Sequence, residues 1–273
     1  MTNHDSDAVF AGTVPEVYER CLVPLIFECY ADDLVDRVAH LAPSSVLEIA
    51  AGTGVVTRAL ASGLGALVEI TASDLNADMI EHAAAVGTSR PVKWRQADVM
   101  QLPFPDDAFD VVVCQFSAMF FPDRPQAYAQ INRVLRPGGT FVFNVWDDIA
   151  NNEFAAVVTD AVGELFPDDP PMFLARTPHG YHDEVIIRSD LTAGGFAEPV
   201  SIEPVEHRSR ASAADLPAFA YCHGTPLRNE LEQRDPGRLD EATEHATTRL
   251  SERFGPTDLD TKIRGFVITT TAP

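Results

Sequence analysis

The residues best placed to do chemistry lie in the stretch VLEIAAGTGVVT, residues 46–57, where an apolar run breaks into small residues before a helical pattern. The run predicts a buried parallel strand that carries one acid, Glu48, close to its end. The turn that follows consists of small residues: Ala50, Ala51, Gly52 and Gly54. Because such residues let the backbone approach a bound molecule, beside the N–H groups of a helix predicted from residue 55, the pattern predicts a cofactor pocket. Packing at a strand–helix junction is the alternative explanation.

Two later acids strengthen the prediction of a pocket. Asp74 ends a second apolar run, LVEITASD, and Asp98 ends a third strand pattern, VKWRQAD. Parallel strands end at one edge of a sheet, so both carboxylates are expected to gather there with Glu48. In nucleotide-binding folds, a carboxylate after the second strand accepts hydrogen bonds from ribose hydroxyls. A purely structural sheet has no need of three acids at one edge.

Strand and helix patterns alternate five times, which predicts a parallel, doubly wound α/β sheet with helices on both faces. The run FDVVVCQF is too continuously apolar for an edge strand and is expected to be central. It ends near Gln115, which is expected to join the acids at the ligand-binding edge. A fifth strand, TFVFNVW, follows a predicted turn, RPGG.

Other segments frame these units. Residues 1–12 are polar and are expected to be mobile, and residues 15–39 predict two helices, interrupted near Pro24 and Tyr30. Asn76 and Asp123 are predicted to begin helices. The later patterns predict helices at 151–166, 183–194, 212–222 and 227–254, a Pro-rich loop at 168–182, and strands at 196–207 and 260–271.

The composition favours a small-molecule partner. A formal net charge of -21 would repel a phosphate backbone or an anionic membrane surface, so neither is an expected partner. The 4 cysteines are scattered with no C-x-x-C pair, which indicates neither a zinc site nor a disulfide framework. With no leader pattern and no apolar stretch long enough to span a membrane, a soluble cytoplasmic protein is expected. The sequence leaves the oligomeric state open, a homo-oligomer included.

Four segments carry a resemblance to a known family: LEIAAGTG, SDLNADMI, ADVMQLPFPDDAFDVVVCQF and LRPGGTFVFNVW. With them the chain resembles a class I S-adenosylmethionine-dependent methyltransferase, similar to those of ubiquinone and menaquinone biosynthesis, from about Tyr18 to Thr271. The resemblance implies a Rossmann-like seven-stranded sheet whose last strand is antiparallel and lies beside the sixth. The chain departs from the family's pattern at Ala50, where the family often has its first glycine.

The resemblance also implies how the chain is divided. Residues 1–273 are expected to form a single methyltransferase domain with N-terminal helices at 14–42 and a cofactor-binding core at 43–150. Segments 151–182 and 209–257 are expected to form a helical cap that selects the substrate.

The family's use of S-adenosyl-L-methionine implies a set of cofactor-binding residues: Tyr18, Glu48, Ala50, Ala51, Gly52, Gly54, Asp74, Leu75, Met79, Asp98, Val99, Gln115 and Phe116. By resemblance, Asp74 accepts from the ribose hydroxyls, Asp98 takes the adenine amino group, and Glu48 orients the methionine part from behind the turn. For Tyr18 and Met79, ordinary packing against the sheet is the alternative role.

Methyl transfer requires alignment of donor and acceptor and needs no covalent nucleophile. An acceptor that must lose a proton would need a base, and the segment TPHGYHD supplies Tyr181 and His182 as the candidate catalytic residues. Exposed loop residues are the alternative explanation of these two. Several aromatic residues predict an apolar or aromatic acceptor, unless they belong to the core: Phe116, Phe120, Phe121, Phe173 and Trp146.

No metal is expected in the reaction. Asp147 and Asp148 follow the fifth strand, but the fourth ends in the amide Gln115, which leaves too few oxygen ligands for a divalent ion. The two acids are expected to be a solvated pair.

Two other functions remain open on the sequence. A nicotinamide-dependent oxidoreductase would also use a glycine turn and Asp74, although residues 52–57 lack the last glycine of G-x-G-x-x-G. A non-catalytic cofactor-binding scaffold is the second alternative, and retention of cofactor without methyl turnover would distinguish it.

Overall fold

The structure is a computed structural model that describes residues 14–273, so the predicted mobile segment 1–12 lies outside the described residues. A seven-stranded sheet has the strand order β3-β2-β1-β4-β5-β7-β6. The strands are β1 (Ser45–Ile49), β2 (Glu69–Asp74), β3 (Lys93–Gln96), β4 (Phe109–Gln115), β5 (Leu135–Trp146), β6 (Ser201–Ala213) and β7 (Thr257–Thr271).

The first five strands are parallel and the last is antiparallel. Strand β1 pairs in parallel with β2 and β4, β2 with β3, and β4 with β5. Gly138 N donates to Ala272 O, and Asp147 N donates to Arg264 O, so β7 runs in the opposite direction along β5. The predicted Rossmann-like α/β sheet, with a central β4 and a last strand inserted beside the sixth, is confirmed.

Helices connect the strands, and several begin at the predicted caps. The Asn76 side chain accepts from Asp78 N, and the Asp123 side chain accepts from Gln126 N, so each satisfies a backbone donor of its helix. The helices are α1 (Val14–Val17), α2 (Glu28–His40), α3 (Val55–Gly63), α4 (Ala77–Val86), α5 (Arg124–Val134), α6 (Glu153–Leu165), α7 (Phe173–Arg176), α8 (Glu184–Ala193), α9 (Asp215–Gly224), α10 (Leu227–Arg234) and α11 (Leu239–Phe254).

The N-terminal helices differ from the prediction. A π-helix, Tyr18–Phe27, joins α1 to α2, so the helical conformation continues past Pro24 and Tyr30 without a break. The prediction of two separate helices is therefore wrong. Proline lacks the N–H that an α-helix needs for its hydrogen bond to the preceding turn. In a π-helix the hydrogen bonds span i→i+5, so the hydrogen-bond pattern around Pro24 differs from that of an α-helix.

The predicted RPGG turn is also wrong, because β5 already begins at Leu135. Its pairing with β4 is irregular there, because Phe109 pairs with Leu135 and Val111 already pairs with Thr140. Gly138 adopts a φ of 77°, which few residues other than glycine adopt easily. The two glycines thus form an irregular strand start rather than a turn.

Two later boundaries also differ from the prediction. Strand β6 begins at Ser201 rather than at 196, and Phe196, which precedes it, is buried and stacks on Phe141 with ring centroids 5.9 Å apart. The predicted helix 227–254 is two helices, α10 and α11, separated by a turn that contains Gly237. A short helix, α7, lies inside the predicted Pro-rich loop.

The chain divides into two compact units. The core unit comprises Glu28–Val145, His182–Val205 and Phe266–Pro273. The second unit comprises the described residues up to Phe27, with Trp146–Tyr181 and Glu206–Gly265. None of the described helices combines the length and the apolar character that crossing a membrane requires.

Within the core unit, apolar side chains of α2, α3 and the parallel strands pack into one cluster. Leu34 and Leu60 are fully buried there, as are Val46 and Val113 of the two central strands. This packing fixes the ends of β1 and β4, from which the candidate site is built.

Candidate functional site

The turn at residues 50–54 connects β1 to α3 through left-handed backbone. Ala50, Gly52 and Gly54 have φ of 53°, 55° and 87°. A Cβ at Gly52 would meet nothing within 4 Å, whereas one at Gly54 would lie 3.1 Å from the Ala83 side chain. Gly54 therefore serves close packing against α4, and Gly52 leaves room for a ligand beside the backbone.

Glu48 holds this turn from behind. Glu48 is 2% exposed, and its carboxyl group accepts hydrogen bonds from the hydroxyl and the backbone N–H of Thr57. Gly54 is the N-cap residue of α3 and has no side chain that could accept a hydrogen bond from the first backbone N–H groups of the helix. Glu48 accepts such a bond instead. Burial raises the pKa of Glu48 to about 8, against the opposing hydrogen bond from Thr57.

Asp74 connects the end of β2 to the same turn. One carboxylate oxygen accepts from Gly52 N at 2.8 Å, and the other accepts from Asn76 N at 2.8 Å. Burial raises the pKa of Asp74, and these backbone hydrogen bonds act in the opposite direction. Each oxygen can accept a further hydrogen bond, so the carboxylate can also serve a ligand. The adjacent Leu75 is 61% exposed, which presents an apolar surface beside the acid.

Asp98 does not end a strand as predicted, because β3 ends at Gln96. Asp98 instead forms an isolated bridge with Gln101, and its carboxylate accepts from Met100 N at 2.8 Å. The acid therefore stabilises the loop after β3. Val99 in this loop is half-buried, and Met79 of α4 is buried.

A second strained position follows β4. Gln115 is the last residue of that strand, and Phe116 has a φ of 46°, a left-handed conformation that is rare for a bulky side chain. Phe116 N donates to Asn144 Oδ1 at 2.8 Å and to the Asn144 carbonyl at 3.2 Å. Sequence reasoning missed Asn144, for which the signal was a single amide inside the apolar strand TFVFNVW.

The residues of the 50–54 turn fit an adenosine cofactor that carries an amino acid. The Thr53 hydroxyl is buried, and no partner for it exists among residues 14–273. Its hydrogen-bonding capacity is therefore left over for a polar ligand of this turn. Asp74 offers a carboxylate for ribose hydroxyls, and Leu75 offers an apolar face for a base. The core unit thus brings together most of the predicted cofactor residues.

The remaining predicted residues are divided between the units. Tyr18 and Tyr181 belong to the second unit and His182 to the core unit. Tyr18 stacks on Phe27 with ring centroids 4.9 Å apart. Tyr181 is 3% exposed, so it is not an exposed loop residue, whereas His182 is half-buried.

The acids after β5 are not the solvated pair that was predicted. Asp147 is 6% exposed, with Arg264 Nε at 3.2 Å and Asn151 Nδ2 at 2.9 Å from its carboxylate. Asp148 accepts from Ala150 N at 2.8 Å and begins a 3-10 helix. Within the described range 14–273, no group of three or more His, Cys, Asp or Glu side chains could hold a metal ion.

Four of the five aromatic residues taken as signs of an aromatic acceptor are buried: Phe116, Phe121, Phe173 and Trp146. His179, from the same segment as Tyr181, is buried as well, and its Nδ1 lies 2.8 Å from the Asp147 carbonyl.

Comparison with known proteins agrees with this geometry. Residues 47–143, which include most of β1, the 50–54 turn, Asp74 and the central strand β4, match the methyltransferase domain family. Residues 47–143 are therefore assigned to a methyltransferase domain, in agreement with the resemblance to class I S-adenosylmethionine-dependent methyltransferases. This assignment disfavours the nicotinamide-dependent alternative.

One curated relative shares less than a third of its residues with this chain over the aligned region. The ubiquinone/menaquinone biosynthesis C-methyltransferase UbiE of Stutzerimonas stutzeri is 29% identical over 164 residues, which is 55% of this chain and 64% of the relative. The chain thus spans somewhat less than two thirds of that protein's length.

Two solved structures show the same fold. The methyltransferase candidate BH2331 of Bacillus halodurans superposes with a TM-score of 0.56 at 19% identity, covering 89% of this chain and 98% of that protein. The [4+2]-cyclase SpnF superposes with a TM-score of 0.50 at 18% identity, covering 88% and 80%. At such identities the likeness concerns the fold alone.

Replacement of Asp74 by Ala tests the ribose assignment. Loss of a charged acceptor costs roughly 1.5–3 kcal/mol, so the affinity for S-adenosylmethionine should fall by about tenfold to over a hundredfold. Calorimetric titration measures this change. Asp78→Ala, at an exposed acid on α4, is the matched control and should keep the affinity of the unmodified chain. Equal affinities for the two variants would show that Asp74 does not bind the ribose.

Replacement of Glu48 by Gln tests its raised pKa. Between the ordinary value of 4.5 and the folded value of about 8, the folded chain keeps a proton that the unfolded chain has lost. Stability therefore falls as pH rises through this window. In Glu48→Gln the free energy of unfolding should depend less on pH there, as measured by urea denaturation at several pH values. Glu81→Gln on α4 controls for net charge, and parallel curves for Glu48→Gln and the unmodified chain would contradict the assignment.

Proposed function

We propose that this chain transfers a methyl group from S-adenosylmethionine to an oxygen or carbon atom of an apolar, aromatic small molecule. The observation that carries the proposal is the position of the Asp74 carboxylate. It accepts a hydrogen bond from Gly52 N at 2.8 Å, and the exposed, apolar Leu75 follows it in the chain. A carboxylate after the second strand, beside a glycine-bearing turn, is suited to bind the ribose of an adenosine. The name of the Stutzerimonas relative supports a quinol-type acceptor.

In this proposal, each part of the site binds one part of the cofactor. Asp74 accepts from the ribose hydroxyls, and Leu75 covers one face of the adenine ring. The loop with Asp98 and Val99 contacts the edge of that ring. Gly52 and Thr53 receive the methionine part, for which Thr53 offers its buried hydroxyl. Glu48 keeps the turn in place without touching the ligand.

The chain contributes alignment and the exclusion of water rather than a reacting group. When bound, S-adenosylmethionine supplies an electrophilic methyl group on a sulfonium. Gln115 and Phe116 end the central strand β4, where ligands of such sheets bind, and we assign them to orient the donor methyl group and the acceptor. Met79 and Tyr18 keep the cofactor-binding role predicted for them from the sequence. Tyr181 and His182 keep their role as candidate catalytic residues.

The net charge supports the small size of the acceptor. At -21, the chain would lose the electrostatic attraction on which nucleic-acid binding depends. An uncharged aromatic ring is not repelled in this way. We therefore propose a small-molecule acceptor and no nucleic-acid partner.

Transfer of a labelled methyl group tests the proposal. The purified chain should transfer label from S-adenosylmethionine to at least one acceptor of a panel that contains a naphthoquinol, catechol and indole. Asp74→Ala should lower this rate at limiting cofactor, and Asp78→Ala should not. Cofactor binding without any transfer over the panel would contradict the proposal and favour a scaffold, or a non-methylating reaction on this fold.

The same assay examines the predicted base. With an acceptor that must lose a proton, Tyr181→Phe or His182→Ala should reduce kcat by roughly a hundredfold or more, since general acid–base catalysis contributes about 10²- to 10⁴-fold. If both variants lost cofactor affinity while acceptor kinetics stayed normal, their assignment to the acceptor would be wrong.

A further inference from the structure

Asn144 is a polar residue in an otherwise apolar part of β5. Its neighbours Phe143 and Val145 are fully buried, and Asn144 itself is 0% exposed. A buried carboxamide is destabilising unless its donor and acceptor atoms find partners. Asparagine is also a poor residue for a strand interior. The presence of an amide at this position therefore needs a reason other than packing.

The two ends of the Asn144 side chain are in different situations. Oδ1 accepts from Phe116 N at 2.8 Å. For Nδ2, by contrast, no hydrogen-bond partner exists in the part of the chain that the structure describes. The residue thus makes use of its acceptor atom and leaves its donor unsatisfied, although an apolar side chain would avoid that cost.

Phe116 is the position that receives this hydrogen bond, and its backbone is strained. A φ of 46° places it in the left-handed region, which is unfavourable for a bulky residue. Its N–H is shared between Oδ1 and the carbonyl of Asn144, and its ring meets Tyr30 edge-on with centroids 4.9 Å apart. Such a conformation persists only when surrounding contacts fix it.

The strained residue lies where alignment matters. Gln115 and Asn144 are register partners in the parallel pair of β4 and β5, so Phe116 follows the carboxyl end of the central strand. Ligands of doubly wound sheets bind outside these ends. A backbone rotation at Phe116 would therefore redirect side chains at the ligand-binding edge.

We infer that Asn144 is a positioning residue, whose Oδ1 holds Phe116 in its left-handed conformation and so sets the alignment of the donor methyl group with the acceptor. The inference rests on the proposed function for its kinetic part. Its conformational part concerns Phe116 alone. Asn144 acts through Phe116 and does not touch the reacting atoms.

Two variants separate the two ends of the side chain. Asn144→Asp keeps an acceptor oxygen for Phe116 N–H, and Asn144→Leu removes it at similar volume. Asn144→Leu should lower kcat by roughly a hundredfold, as expected for a small misplacement of reactants, with unchanged KM for the naphthoquinol and unchanged affinity for S-adenosylmethionine. Asn144→Asp should restore most of kcat. Asn132→Leu removes another carboxamide of the core unit, which donates to the Gly194 carbonyl, and should leave kcat unchanged.

The backbone amide resonance of Phe116 gives a readout that does not depend on turnover. Its proton chemical shift should move upfield in Asn144→Leu, should not move upfield in Asn144→Asp, and should stay in place in Asn132→Leu. If the resonance stays in place in Asn144→Leu, or if Asn144→Asp and Asn144→Leu impair kcat equally, the inference is overturned. If the proposed function is wrong, the unmodified chain itself transfers no methyl group, which distinguishes that outcome from failure of the inference about Asn144.

Discussion

The hydrogen bond from Gly52 N–H to the Asp74 carboxylate is the interaction on which the site depends. It fastens the turn after β1 to the end of β2 at 2.8 Å. Two further hydrogen bonds join the same two segments. Ala51 N donates to Ser73 O at 2.9 Å, and Ser73 Oγ donates to Glu48 O at 3.0 Å. The acid thereby fixes the turn with one lone pair and keeps others for a ligand. Structure and binding thus depend on the same carboxylate.

Two of the five left-handed residues with a Cβ in the described part of the chain lie at this same edge of the sheet. Ala50 follows β1 and Phe116 follows β4, and these two strands are neighbours. Left-handed backbone costs a residue with a Cβ about 1–2 kcal/mol, so each position needs contacts that hold it. Asp74 and Glu48 hold the turn that contains Ala50, and Asn144 holds Phe116. This arrangement explains how alanine serves where the family often has glycine.

The features predicted from the sequence were those with local causes. The buried run of β4 marked a central strand, and Asn76 and Asp123 marked helix starts, because the responsible residues lie within a few positions of one another. The features that were missed depend on distant partners. Arg264 makes the burial of Asp147 possible, and Gly138 N–H donates to the carbonyl of Ala272, which follows β7. Asn144 escaped notice because its partner, Phe116, lies at the end of another strand.

A crystal structure with S-adenosylhomocysteine bound tests the central claim most directly. The account predicts that both ribose hydroxyls lie within hydrogen-bond distance of the Asp74 carboxylate, that Gly52 N–H still donates to it, and that the adenine ring covers Leu75. A nucleoside bound away from Asp74, or one that breaks the bond between Gly52 and Asp74 to enter, would contradict it.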